Sequence, residues 1–234
     1  MLPCAILCGG LATRLRPLTE RIPKSLIPIH GEPFIAYQLK LLKAQGIKQI
    51  VLCAGFLGDR IEEFVGNGSR FGLDISVCSD GAQPLGTAGA IRNALPQLGP
   101  SFFVLYGDSY LPCDYTAVAD AFKRSAKPGL MTIYRNRGSY DASNVEAIDG
   151  RILRYQKGTR DPAMQHIDYG LGVFQGSVFE RSAGRDLAEV YQQLLAEGNL
   201  AAYETHERFY EIGSLTGIQA LESYFAGQPA TYSA

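Results

Sequence analysis

Three short, almost unbroken apolar runs punctuate the first 134 residues, PCAILC (3–8), KQIVLCA (48–54) and FFVLYGD (102–108), and LDISVCS (73–79) and GLMTIY (129–134) read as two further strands. A strand covered on both faces has no reason to alternate polar with apolar, so runs of this length read as interior strands of a largely parallel sheet. Between them the spacing turns helical. After Pro33-Phe34, apolar side chains recur at Ile35, Leu39, Leu42 and Ala44, and the run stops at Gly46. Residues 58–66, 87–95 and 114–126 suit further helices. Strand and helix in strict alternation predict an α/β fold, a mainly parallel, Rossmann-like twisted sheet with helices on both faces.

The pattern loosens after residue 138, where 143–148, 151–156 and 167–174 read as shorter strands and 186–197 and 216–226 as helices. No linker rich in proline or glycine divides the chain, and no repeat or low-complexity tract appears. One domain over 1–234 is the economical expectation.

Composition narrows the function. Of the 234 residues, 46% are hydrophobic and 19% charged, ordinary for a folded globular chain. A formal net charge of -1 gives no general attraction to nucleic acid or anionic membrane, so any anion must be held by a local cluster. Five scattered cysteines (Cys4, Cys8, Cys53, Cys78 and Cys113) without a C-x-x-C predict buried, reduced thiols. The N-terminal stretch lacks the basic start and long apolar run of a signal peptide, and no segment has the ~18 apolar residues of a membrane span. The expectation is a cytoplasmic protein, with a homo-oligomer left open.

The stretch CGGLATRLRPLTERIPKSLIPI (8–29) leaves the carboxyl end of the first strand, where open α/β sheets bind ligands. Gly9 and Gly10 let the backbone come close and turn N–H groups toward an anion. Arg14 and Lys24 supply positive charge from the same segment. Pro17, Pro23 and Pro28 stiffen it, and Leu15, Leu18, Ile22, Leu26 and Ile27 give it something to bury. Together they predict a phosphate site.

The segment G-G-L-A-T-R-L-R-P-L-T followed by P-K resembles the signature of the sugar-1-phosphate nucleotidylyltransferases, G-G-x-G-T-R-L-x-P-x-T and then a P-K pair. The resemblance implies a GT-A-like nucleotidyltransferase fold in which this loop wraps the triphosphate of an NTP. Gly9, Gly10, Ala12 and Thr13 then contact nucleotide, and Arg14 and Lys24 are catalytic. Ala12 departs from the family's glycine. QPLGTAGAI (83–91) resembles the family's second nucleotide loop and places Gln83, Gly86 and Thr87 at the base. Its P-L-G-T-A-G is most like members that use GTP.

By the same resemblance, Asp108 in the G-D pair is a Mg²⁺ ligand, and Glu211 in F-Y-E-I-G-S replaces the family's second metal aspartate. Lys157 in YQKGTRD matches the lysine that holds the sugar phosphate. IDYGLGVF (167–174) matches an N-A-G strand of the sugar pocket, putting Asp168, Tyr169 and Gly170 there, with Glu146 facing a sugar hydroxyl. Residues 1–137 would mainly bind nucleotide and 138–234 mainly sugar phosphate.

The implied reaction transfers NMP from an NTP to a sugar 1-phosphate with release of pyrophosphate, in the manner of a guanylyltransferase for a heptose or mannose 1-phosphate. Uridylyl, cytidylyl or thymidylyl transfer is the alternative, as is a non-catalytic nucleotide-sugar sensor that the departures at Ala12, Gln156 and Glu211 would permit. Other classes lack their signatures. There is no P-loop, no D-x-D of metal-dependent glycosyltransferases, and His30, His166 and His206 stand apart from any nucleophile motif.

Overall fold

The computed structural model describes residues 1–10, 15, 17–81, 83–158 and 160–227. In chain order the first half holds β1 (Cys4–Leu7), β2 (Pro28–Ile29), β3 (Glu32–Pro33), α1 (Phe34–Ala44), β4 (Gln49–Ala54), α2 (Gly58–Val65), β5 (Asp74–Ser79), α3 (Thr87–Ala94), β6 (Ser101–Tyr106), β7 (Ser109–Tyr110), α4 (Tyr115–Ser125) and β8 (Gly129–Tyr134). The second holds β9 (Val145–Ile148), β10 (Arg151–Tyr155), β11 (Ile167–Gln175), α5 (Gly176–Arg181), α6 (Leu187–Ala196), β12 (Leu200–Thr205), β13 (Tyr210–Glu211) and α7 (Leu215–Ala226).

A seven-stranded sheet runs β12-β8-β11-β6-β1-β4-β5. Neighbours pair in parallel except β11, which lies antiparallel between β6 and β8. The sheet thus draws strands from both halves of the chain. All five expected strands are present, four of them inside the sheet and β5 at its edge. β12 was not foreseen: LAAYET follows a helix rich in Ala and Leu and reads as its continuation. α5 was missed because its six residues are too few to show a helical period.

Alternate residues of the buried strands feed two cores. Cys4 and Ile6 pack with α1, α2 and α4 residues such as Leu39, Ile61 and Val118. Ala5 and Leu7 pack on the other face with Ile91, Phe179 and Val190. A third cluster anchors described residues of the 8–29 stretch: Leu15, Ile27 and Ile29 are buried with Phe34 and Leu41 of α1, Tyr110, Ile212 and Leu221. Pro23 opens a 3-10 turn over Lys24–Leu26, so the lysine stands on a short rigid step anchored by apolar neighbours.

The carboxyl ends of the central strands are zipped by backbone hydrogen bonds beyond the strands proper. Cys8 N–H donates to Cys53 O at 2.8 Å, Gly107 N–H to Leu7 O at 2.9 Å, and Asp80 N–H to Ala54 O at 2.9 Å. Glycine is needed where these ends converge. A Cβ on Gly107 would stand 2.8 Å from Cys8 Sγ and 2.9 Å from Leu7 O.

Gly107→Ala is therefore expected to cost about 1–3 kcal/mol, as overpacking against fixed backbone does. In a chain of this size each kcal/mol lowers Tm by roughly 2–4 °C. A thermal melt followed by circular dichroism checks this, and an unchanged Tm would show that the strand ends separate without penalty.

Candidate active site

At this zipped edge lies a cavity of about 310 Å³. Its walls come from β1 and the residues after it (Leu7 to Gly10), the 3-10 turn (Lys24, Ser25), the ends of β4, β5 and β6 (Cys53, Asp80, Tyr106 to Asp108), the start of α3 and Asp186. Of the nucleotide-binding residues expected from sequence, Gly9, Gly10, Gly86 and Thr87 line it. Ala12, Thr13 and Arg14 lie outside the described residues. Gln83 is exposed and is absent from the lining.

Lys24 and Asp108 meet directly. The lysine Nζ forms an ion pair with Asp108 Oδ2, both side chains partly buried. Asp108 follows β6 by two residues, and its turn is fixed from behind. The buried side chain of Gln38 on α1 donates from Nε2 to Tyr106 O at 3.0 Å and to Ser109 O at 2.7 Å. Ile212 N–H donates to Asp108 O at 3.0 Å. Gln38 sits at a core-facing position among apolar residues, and its isolated polarity was the signal that could have marked it. Ser25, beside Lys24, is buried with its hydroxyl lacking a partner among the described residues.

β13 pairs antiparallel with β7, setting Glu211 opposite Ser109, one residue from Asp108. Its side chain lines an adjoining depression of about 340 Å³. Asp108 and Glu211 both act electrostatically on the phenol of Tyr106, which burial pushes well above its usual pKa. Among the described residues no group of three or more His, Cys, Asp or Glu makes a ready-made metal cage. Magnesium does not need one, since it commonly takes one or two carboxylates and completes its shell with substrate phosphate and water. Asp108, on the cavity wall, and Glu211, paired opposite the residue that follows it, are oxygen donors of that kind.

Tyr106 joins this cavity to a second group of residues. Lys157 Nζ lies 3.3 Å from the Tyr106 hydroxyl and 5.3 Å from its ring centroid. Asp168 lies on the same side. Its Oδ2 accepts from Tyr155 OH at 3.1 Å and its Oδ1 from Gly170 N–H at 3.1 Å. Burial pushes the Asp168 carboxyl up, while the Lys157 ammonium and these two donors pull it back. Gly170 has φ +92°, and the register of β11 against β8 is irregular between Asp168 and Gly172. A glycine bulge thus re-aims Asp168 beside the site.

Two sugar-side expectations need correction. Tyr169 points to the opposite face, as strand alternation requires, and is buried in the core with Phe209 and Tyr134. Glu146 is bound into an outer ion-pair network: Arg154 Nε donates to it at 2.7 Å while Arg154 Nη2 reaches Asp161 at 2.6 Å. Thr87 is also partly committed, its hydroxyl accepting from Leu187 N–H at 2.7 Å. The sequence reading missed Asp80, Asp186, Gly55, Gln38 and Tyr106. Gly55 matters for approach: a Cβ there would stand 3.0 Å from Gly9 Cα.

The five cysteines are free and buried, and burial lifts Cys8, whose thiol faces the cavity, to about 12, so it is no nucleophile. No helix among the described residues is long and apolar enough to cross a membrane.

The nucleotidyl transferase family profile matches residues 4–215. The chain belongs to the nucleotidyl transferase family. Within this family it is 30% identical over 226 residues to mannose-1-phosphate guanyltransferase beta-B of Xenopus laevis, a match covering 91% of this chain and 62% of the frog protein. It is 42% identical over 113 residues to N-acetylmuramate alpha-1-phosphate uridylyltransferase of Neisseria meningitidis, covering 48% of this chain and 49% of that one. The chain therefore spans less than two thirds of these relatives' length. Its fold matches that of HddC from Yersinia pseudotuberculosis, crystallised with GMP-PN, at a TM-score of 0.80 and 24% identity, covering 96% of this chain and all of that one.

The raised Asp168 carboxyl gives this nucleotidyl transferase a pH signature. A group whose folded pKa lies above its unfolded value stabilises the fold at low pH, and the contribution is lost as pH rises from the ordinary carboxyl value of 3.8 through the folded pKa. Asn at 168 keeps partners for Tyr155 and Gly170 without the charge. Relative to the native chain, Asp168→Asn should gain Tm progressively as pH rises above the ordinary carboxyl value of 3.8. A Tm difference that stays flat across that rise would remove the buried carboxyl as its cause.

Proposed function

We propose that this chain transfers a nucleoside monophosphate from an NTP to a sugar 1-phosphate, giving an NDP-sugar and pyrophosphate, most plausibly GMP to a heptose or mannose 1-phosphate. The observation that carries the reading is the Lys24–Asp108 pair set at the glycine-lined strand ends, in a chain whose family match runs over nearly all of its described length.

An oxygen of the sugar phosphate attacks the α-phosphorus in line. The bond from that phosphorus to the oxygen bridging to the β-phosphate breaks, and the electron pair leaves on pyrophosphate. The attacking phosphate is already ionised near neutral pH, so no general base is required. Catalysis then rests on positioning and charge.

Gly9 and Gly10 let backbone N–H groups approach the phosphates, joined by Ala12 and Thr13 on the sequence reading. Lys24 neutralises the α-phosphate and Arg14 the departing pyrophosphate. Lys157 orients the attacking phosphate from across Tyr106, and Asp168 and Gly170 border the sugar. Asp108 and Glu211 would hold Mg²⁺, which when bound supplies charge neutralisation at the phosphate oxygens. The Lys24 ammonium pairs with Asp108 and so stands next to the carboxylate that would carry the metal. On this reading residues 1–137 serve mainly the nucleotide and 138–234 mainly the sugar phosphate, within one domain.

The meningococcal relative favours a second reading, uridylyl transfer, at least over the 113 residues it matches. Incubation with each NTP, Mg²⁺ and a panel of sugar 1-phosphates, followed by pyrophosphate release, separates the two. Nucleotide binding without turnover on any sugar would favour the sensor reading instead. Asp108→Asn, assayed at saturating Mg²⁺, should lower kcat by about 10²-fold or more, and near-native turnover would remove Asp108 from the chemistry.

A further inference from the structure

The residue expected at the base, Gln83, is exposed and does not line the cavity, and Thr87 already accepts one hydrogen bond, from Leu187 N–H. Another polar side chain does line the cavity there. Asp80 is the first residue beyond β5. Its Oδ2 lies 3.4 Å from where a Cβ on Gly9 would stand and 3.3 Å from where one on Gly55 would stand, so it sits against both glycine turns. Leu85 N–H donates to it at a long 3.4 Å. Among the described residues no other hydrogen bond and no cation reaches this carboxylate. Burial pushes its carboxyl up, and Leu85 N–H pulls it back. An ionised carboxylate offers about four acceptor sites, and most of these are unused.

Its place in the sheet says what it could meet. β5, β4, β1 and β6 lie side by side. At about 4.8 Å per strand, the ends of β5 and β6 are ~14 Å apart. Lys24 and Asp108 mark the β6 end of the cavity and Asp80 the β5 end. A nucleotide lying along this edge with its phosphates at Lys24 and Asp108 brings its base to Asp80.

The geometry points to Asp80 as the residue that selects the base, its carboxylate accepting together from N1–H and the 2-amino group of guanine. This rests on the nucleotidyl-transfer reading. A carboxylate only accepts, and guanine alone among the common bases sets two donors side by side on its pairing edge. Uracil and thymine offer one N–H between two carbonyl oxygens, while cytosine and adenine set one amino group beside a ring nitrogen that accepts. In each of these the second carboxylate oxygen would face a lone pair. Such polar mismatch in a partly buried site discriminates far more strongly than a lost apolar contact. The specificity follows from Asp80 and not from the glycine loop, whose backbone contacts serve any triphosphate.

The test measures nucleotide affinity by calorimetry on the full chain with Mg²⁺ and no sugar phosphate, using GTP, ITP, XTP, UTP and dTTP. The native chain should bind GTP at least ~10-fold tighter than ITP, which lacks the 2-amino group, and tighter than XTP. Asp80→Asn replaces one acceptor with a donor, which complements the N1–H and 2-carbonyl of xanthine. It should lose at least ~10-fold for GTP and prefer XTP, whereas Asp80→Ala should lose GTP without gaining XTP. Equal native affinity for GTP and ITP, or an unchanged order in Asp80→Asn, overturns the role of Asp80. The GTP and ITP comparison uses the native chain, so it stands even if the variants fold poorly. Tightest native binding of UTP or dTTP overturns the guanine assignment and leaves nucleotidyl transfer intact. Failure of the native chain to bind any of the five overturns the nucleotidyl-transfer reading itself.

Discussion

The carboxyl ends of β1, β4 and β6 must come within backbone contact of one another, and the site depends on that approach. Gly9 lies against Gly55, and Gly107 against Leu7 and Cys8, at distances tight for a side chain. A methyl group on Gly107 would force the strand ends to shift, and one on Gly9 or Gly55 would press them apart by a few tenths of an ångström. The same closeness leaves the loops leaving the strands with few conformations. The acid at the end of β6 and the lysine on the 3-10 turn are thereby held on separate chain segments yet in contact. Gln38, reaching from α1 to two carbonyls of the β6 turn, fixes the remaining freedom.

Charge is the second constraint. Among the described residues lining the cavity, three are aspartates and Lys24 is the cation. A polyanionic ligand entering such a wall meets repulsion that grows as water is expelled. The cavity becomes hospitable to phosphate only with added positive charge. On the proposed reading, Arg14, Lys157 and a divalent ion would supply that charge. Within the described lining, Lys24 and Asp108 compensate each other as an ion pair.

Much of this was legible in the sequence because its physics is local. Apolar runs marked the interior strands, and an acid just past such a run marked Asp108. The P-K pair beside apolar anchors marked Lys24. The same rule that found Asp108 applied to Asp80, which also follows an apolar strand; attention to the neighbouring glycine motif drew the base assignment to Gln83. Tyr169 was misplaced because motif matching ignores strand alternation, which sends alternate side chains to opposite faces. The ion pair of Glu146 with Arg154 was not foreseen, because Arg154 sits on the next strand and pairing across a hairpin is not written in either residue. Gln38, Tyr106 and Asp186 act through contacts with distant segments, which no local pattern reveals.

The two ends of the cavity are joined by hydrogen bonds rather than by a hinge. Gly86, at φ +78°, packs against Arg185 O, and Ala88 N–H donates to that same carbonyl at 3.0 Å. Thr87 accepts from Leu187 N–H at the start of α6. Arg92 on α3 donates to the carbonyls of Phe179, Ser182 and Gly184 at 2.9, 2.7 and 3.1 Å. The start of α3 is thus held partly by the second half of the chain, which also supplies Lys157 and Asp168. Any displacement of α6 shifts Thr87 and Asp186 together, on the same wall. An in-line displacement tolerates little misalignment between attacking and leaving oxygens. On the proposed reading of nucleotidyl transfer, these hydrogen bonds between α3 and the start of α6 would hold that alignment.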